Sequence, residues 1–178
     1  IGVGPGDSDY ITLKAVKILG KMDVVFCASS SKNDFSLALE IARPHLSPDV
    51  EVKNLPFPMT KERAVMDDAW ERNAEVLAKE TREGKQIAFL TLGDPLIYST
   101  FGYVLQKLQT IYPDVNVEVV PGITSFQAAA ARINRVMVEG EESLMLTSGV
   151  YGGDHVSKLD GKVENVVLLK AYKNIPHI

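Results

Sequence analysis

Three short glycine turns hold the residues of this 178-residue chain with the greatest chemical capacity. The second of them, Leu92-Gly93-Asp94-Pro95, closes an apolar run and leads through Leu96-Ile97 into the hydroxyl-rich Tyr98-Ser99-Thr100. The third is Val120-Pro121-Gly122-Ile123-Thr124-Ser125, and the first is Gly2-Val3-Gly4-Pro5-Gly6-Asp7. Glycine admits a ligand close to the backbone, and α/β proteins bind ligands at the carboxyl ends of their strands. The three turns read as one composite pocket, or as the punctuation that any α/β chain needs.

Taken singly, each turn leaves two readings open. Asp94 offers acceptors to a ribose hydroxyl or a cation, or it closes an Asx turn. Tyr98, Ser99 and Thr100 line a cavity or cap the helix that follows, and Thr124 and Ser125 touch a ligand or act as an N-cap. The first turn misses the dinucleotide fingerprint, because its third glycine comes one residue early and proline stands inside the turn. No Gly-Lys-Ser/Thr and no G-x-S-x-G occurs, so neither a P-loop nor a nucleophile elbow is present.

Composition narrows the chemistry further. Nineteen basic against 23 acidic residues give a formal charge of -4, which argues against non-specific nucleic-acid binding. Cys27 is the only cysteine, so an internal disulfide is impossible; it ends an apolar run and reads as a small buried side chain. His45, His155 and His177 lack metal-ligand spacing and read as surface or capping residues. No metal is expected. No apolar run approaches the roughly 20 residues that cross a bilayer, and a cytoplasmic location is expected. What fits is a reaction in which the protein positions a reactive cofactor and excludes water.

The elements that must position these turns alternate between helix and strand, which predicts a mostly parallel, covered sheet. Helices are expected over 12–21, with Thr12 as cap, and over 35–42, 61–84, 99–111 and 124–132. Strands are expected over 23–27, 50–55, 86–92, 116–120, 143–147 and 163–170. The alanine-rich stretch Phe126-Gln127-Ala128-Ala129-Ala130-Ala131 reads either as a close helix-packing face or as simple helix propensity. The chain is expected to divide into an α/β unit over 1–120 and the start of a second over 121–178. Only Ile1 precedes the first turn and little follows the last strand, so terminal segments are expected to be missing and the second domain truncated.

The order and spacing of Val3-Gly4-Pro5-Gly6-Asp7, Thr12-Leu13-Lys14-Ala15, Leu92-Gly93-Asp94-Pro95 and Val120-Pro121-Gly122-Ile123-Thr124-Ser125 resemble the tetrapyrrole methylases, and the resemblance covers essentially the whole chain. These are S-adenosylmethionine-dependent enzymes of corrin and sirohaem synthesis. The resemblance implies two α/β domains with a cofactor cleft between them, a homodimer, and an anionic tetrapyrrole substrate. It implies cofactor contacts at Pro5, Leu92, Gly93, Asp94, Ile97, Thr124, Ser125 and, more weakly, Ala171. Tyr98-Ser99-Thr100, Ser31-Lys32-Asn33-Asp34 and Ser125–Arg132 are similar to the branch that methylates C20 of precorrin-2 or its cobalt-containing counterpart. Tyr98, as a group that orients substrate, and Lys32, Ser99 and Arg132 are then the substrate contacts; Lys14 and Arg135 are further candidates for a locally basic mouth. A different ring methylase, a diphthamide-synthesis methylase and a non-catalytic cofactor-binding protein are the competing readings.

Overall fold

The computed structural model describes residues 1–29, 36–150, 152–158, 161–172 and 175. Lys32 and His177 lie outside the described residues. Internal packing separates two compact units, Ile1–Ser125 and Phe126–Ile178.

The first unit is built on a parallel sheet of three strands, β1 (Val24–Ser29), β2 (Glu51–Pro56) and β3 (Ile87–Leu90), in the spatial order β2-β1-β3. Val24 pairs with Glu51 on one side and with Ile87 on the other, so the three carboxyl ends emerge along one edge. Alternation along each strand feeds two cores. On one face Phe26, Leu55, Phe57 and Phe89 pack under α3 (Arg63–Arg82) and α4 (Phe101–Ile111), which contribute Trp70, Leu77, Val104 and Leu108. On the other, Val25, Cys27, Ala88 and Leu90 meet Leu19 of α1 (Leu13–Leu19) and Ile41 of α2 (Leu37–Ala42).

Sequence signals placed most of these elements. Thr12 caps α1, its hydroxyl accepting from Ala15 N at 3.2 Å. The buried side of α1 is Ala15 and Leu19, whereas Leu13 is exposed. Gly84 follows α3 with φ of 84°, the left-handed conformation that ends helices and suits glycine. Asn73 is buried on α3, and its amide donates to Pro56 O at 2.9 Å, fastening the helix to the end of β2.

One expectation fails. Residues 116–120 form no strand; Gly2 N donates to Val120 O at 2.9 Å, but a cavity of about 240 Å³ lined by Ile1, Ile87, Phe89, Val117 and Val120 lies where a ladder would be. With the bond at Val120 not continued into a ladder among the described residues, the segment has β propensity without strand pairing. Of the two readings of the alanine-rich stretch, helix propensity fits: α5 (Ser125–Arg132) forms and none of its residues is buried. Its alanines supply helix propensity.

The second unit holds β4 (Leu144–Ser148), α6 (Asp154–Ser157) and β5 (Asn165–Leu169). Strands β4 and β5 pair in parallel, Leu144 opposite Asn165. Glu164 ties the start of β4, accepting from Ser143 N at 2.9 Å.

Candidate functional site

The three turns meet at the carboxyl edge of the first sheet. Parallel to β3, Val3 N donates to Thr91 O at 3.0 Å and Thr91 N to Ile1 O at 3.0 Å. Past that pair the first and second turns face each other: Gly93 N donates to Gly4 O at 2.7 Å and Gly4 N to Gly93 O at 3.4 Å. The first turn reaches the third through the bond from Gly2 N to Val120 O.

Asp94 fastens the second turn to the third. One carboxylate oxygen accepts from Gly122 N at 3.0 Å and the other from Leu96 N at 2.8 Å. The Asx-turn reading of Asp94 holds at one oxygen, and the other makes a bond across the pocket floor that neither reading foresaw. Such charge-assisted bonds are stronger than neutral ones.

Two glycines make this closure sterically possible. A Cβ on Gly2 would lie 2.6 Å from both Gly122 N and Gly93 O. A Cβ on Gly122 would run into Gly93 O and the backbone of Gly2. Gly93 itself adopts φ of 71°, which explains its identity on conformational grounds.

Around this floor the candidate residues differ in exposure. Pro5 is half-buried, Leu92 is 47% exposed, Ile97 is half-buried, Thr124 is buried and Ser125 is exposed. Tyr98, 45% exposed, has φ of 47°, a left-handed conformation that costs a residue with a side chain about 1–2 kcal/mol. Strain of that kind collects at functional sites. Ser99 takes the capping role, its hydroxyl accepting from Phe101 N at 3.0 Å at the start of α4. Arg132 ends α5 and Ala171 follows β5; both belong to the second unit. Lys14 pairs with Glu118 at 2.5 Å, so its charge is already matched.

Thr91 is the residue that sequence reading missed. It is the last ladder position before Gly93, it is 7% exposed, and its hydroxyl has no hydrogen-bond partner among the described residues. The available signal was a lone hydroxyl in the apolar run Ile87-Ala88-Phe89-Leu90-Thr91-Leu92.

Cys27 is fully buried in the middle of β1, and burial pushes its thiol above the usual range, opposed in part by a hydrogen bond with Ser36 and the charge of Arg43. That state is inert, since the thiolate is the nucleophile. In the native protein a disulfide thiol reagent should modify Cys27 more than roughly 100-fold more slowly than in denaturant. Equal rates would place the thiol at the surface.

Comparison with known proteins agrees with this arrangement. A family model described as Tetrapyrrole (Corrin/Porphyrin) Methylases matches residues 1–178. The chain is 34% identical to the cobalt-precorrin-2 C(20)-methyltransferase of Salmonella typhimurium, over 100% of this chain and 74% of that protein. It is 36% identical to a protein of Methanocaldococcus jannaschii named a probable cobalt-precorrin-2 C(20)-methyltransferase, over 98% of this chain and 72% of that one. Among solved structures, the uroporphyrin III C-methyl transferase of Thermus thermophilus matches with a TM-score of 0.62 and 24% identity, over 97% of this chain and 69% of that chain. That likeness concerns the fold.

Proposed function

The chain belongs to the tetrapyrrole (corrin/porphyrin) methylases, and we propose that it transfers a methyl group from S-adenosylmethionine to C20 of precorrin-2 or cobalt-factor II in cobalamin (corrin) biosynthesis. The observation that carries this reading is likeness along nearly the whole chain to two proteins named for that ring position. Both names specify the cobalt-containing ring, which favours the cobalt form as the faster substrate.

The residues present fit the methyl donor. The floor is backbone that glycine lets pack turn against turn, Leu92 and Ile97 give apolar surface for an adenine, and Pro5, Gly93, Asp94, Thr124 and Ser125 belong to the same three turns. We assign these residues to cofactor binding, and the family resemblance adds Ala171. When bound, the cofactor supplies an electrophilic methyl carbon on a sulfonium sulfur. A displacement at that carbon places little demand on a protein acid or base, so the contribution of the chain is placement and exclusion of water. Tyr98 is a positioning residue in this scheme: its strained backbone fixes where the ring begins, and the ring orients the macrocycle. Lys32, Ser99 and Arg132 are assigned to the substrate, whose carboxylates call for cationic and hydroxyl partners. We extend the proposal to a homodimer as the working form, which light scattering tests directly.

The deciding experiment uses S-adenosylmethionine with a labelled methyl group and, under anaerobic conditions, precorrin-2 in parallel with cobalt-factor II. Mass and NMR mapping should place the label on C20, with faster turnover of the cobalt form. Label on another ring carbon would overturn the C20 assignment while leaving a ring methylase. Cofactor binding without label on either ring would move protein methylation or a binding role to the front.

A further inference from the structure

We propose that Thr91 is a cofactor-positioning residue whose hydroxyl is kept without a partner in the free protein and acquires one from bound S-adenosylmethionine or its demethylated product. The inference rests on the cofactor reading above and adds to it a residue that lies outside the contacts already assigned.

The argument begins with cost. Thr91 is more than nine-tenths buried, and its Oγ1 is closed off from solvent with no donor or acceptor in reach. Buried polar groups in folded proteins are almost always paired, and each exception asks for an explanation. Valine would fill the same volume, favour a strand equally and leave nothing unsatisfied. The backbone of Thr91 gives no reason for the hydroxyl, because its N–H and C=O are both engaged with the first turn. A threonine here is therefore a loss to the empty protein.

Its place says what would recover that loss. Thr91 directly follows β3 and is bridged to Gly2, at the carboxyl end where α/β sheets meet ligands, and it precedes Leu92 and Gly93. Alternation sets it on the same side of the strand as Phe89, whose ring lies 5.6 Å from that of Phe101 at the start of α4. Thr91 thus lies on the face of the sheet that meets α4, two residues before Gly93. A ligand seated against Leu92 and Gly93 lies next to Thr91 along the chain. A hydroxyl both donates and accepts, so it suits the ribose and amino-acid ends of the cofactor alike.

Thr91→Val separates this role from plain packing. With S-adenosylhomocysteine as the calorimetric probe, the variant should bind at least about fivefold more weakly than the unchanged protein, while its melting temperature without ligand stays equal or rises. Thr91→Ser should retain most of the affinity despite the lost methyl. Equal Kd for the unchanged protein and Thr91→Val would overturn the inference and leave the hydroxyl as a cost with no return. Failure of the unchanged protein to bind S-adenosylhomocysteine would instead remove the cofactor reading on which the inference stands.

Discussion

Replacing Gly122 by alanine is expected to destabilise the first unit by roughly 3 kcal/mol or more and to weaken S-adenosylhomocysteine binding well over tenfold. The added methyl would meet the carbonyl oxygen of Gly93 and the main chain of Gly2, none of which is the yielding end of a side chain. Relief requires the third turn to move away from the first, and that movement breaks the bonds from Gly2 N to Val120 O and from Gly122 N to Asp94. Gly102→Ala provides a control of opposite sign. Gly102 sits in the first turn of α4 with open space around a Cβ, so alanine there should raise stability by about 0.5–1 kcal/mol. Denaturant unfolding of the two variants checks both signs. A Gly122→Ala protein as stable as its parent would mean the turns are not locked together.

The second large effect is expected at Asp94. Asp94→Ala removes both acceptors that tie the second turn to Leu96 N and Gly122 N, costing about 2 kcal/mol. For a chain of this size that is a fall of about 4–8 °C in melting temperature. Asp94→Asn keeps one acceptor but sets an NH2 against the other N–H, so it should recover part of the loss and not all of it. Affinity for S-adenosylhomocysteine should fall in the same order, alanine below asparagine below aspartate. Thermal melts with calorimetric titration test this. Unchanged melting and binding in Asp94→Ala would remove both the structural and the binding role.

How much of this could be read from the chain depends on where the information lies. The strands and helices of the first unit announce themselves locally, through Thr12 as a cap, Gly84 as a helix end and the apolar run ahead of Gly93. The grouping of the three turns followed from the parallel alternation, which sends every such turn to one edge. Residues 116–120 misled because apolar alternation reports a willingness to pair and says nothing of whether a partner runs alongside. The alanines of α5 left two readings open because small side chains permit close packing without requiring it. Thr91 escaped because an orphaned hydroxyl is a property of surroundings, and a threonine in a strand is locally ordinary. That Asp94 both closes its own turn and spans to Gly122 was likewise beyond reach, since 28 residues separate the partners.

A pocket floor made of Gly2, Gly93 and Gly122 has a thermodynamic corollary. None of the three has rotamers to surrender, and their N–H groups are committed to Val120, Gly4 and Asp94 before any ligand arrives. The ordering entropy of this surface is met during folding, so binding has little left to organise there. Ligand-dependent rigidification, read by amide exchange, should be confined to the rim around Leu92, Ile97 and Tyr98. The floor should exchange as slowly in the free protein as in the bound one.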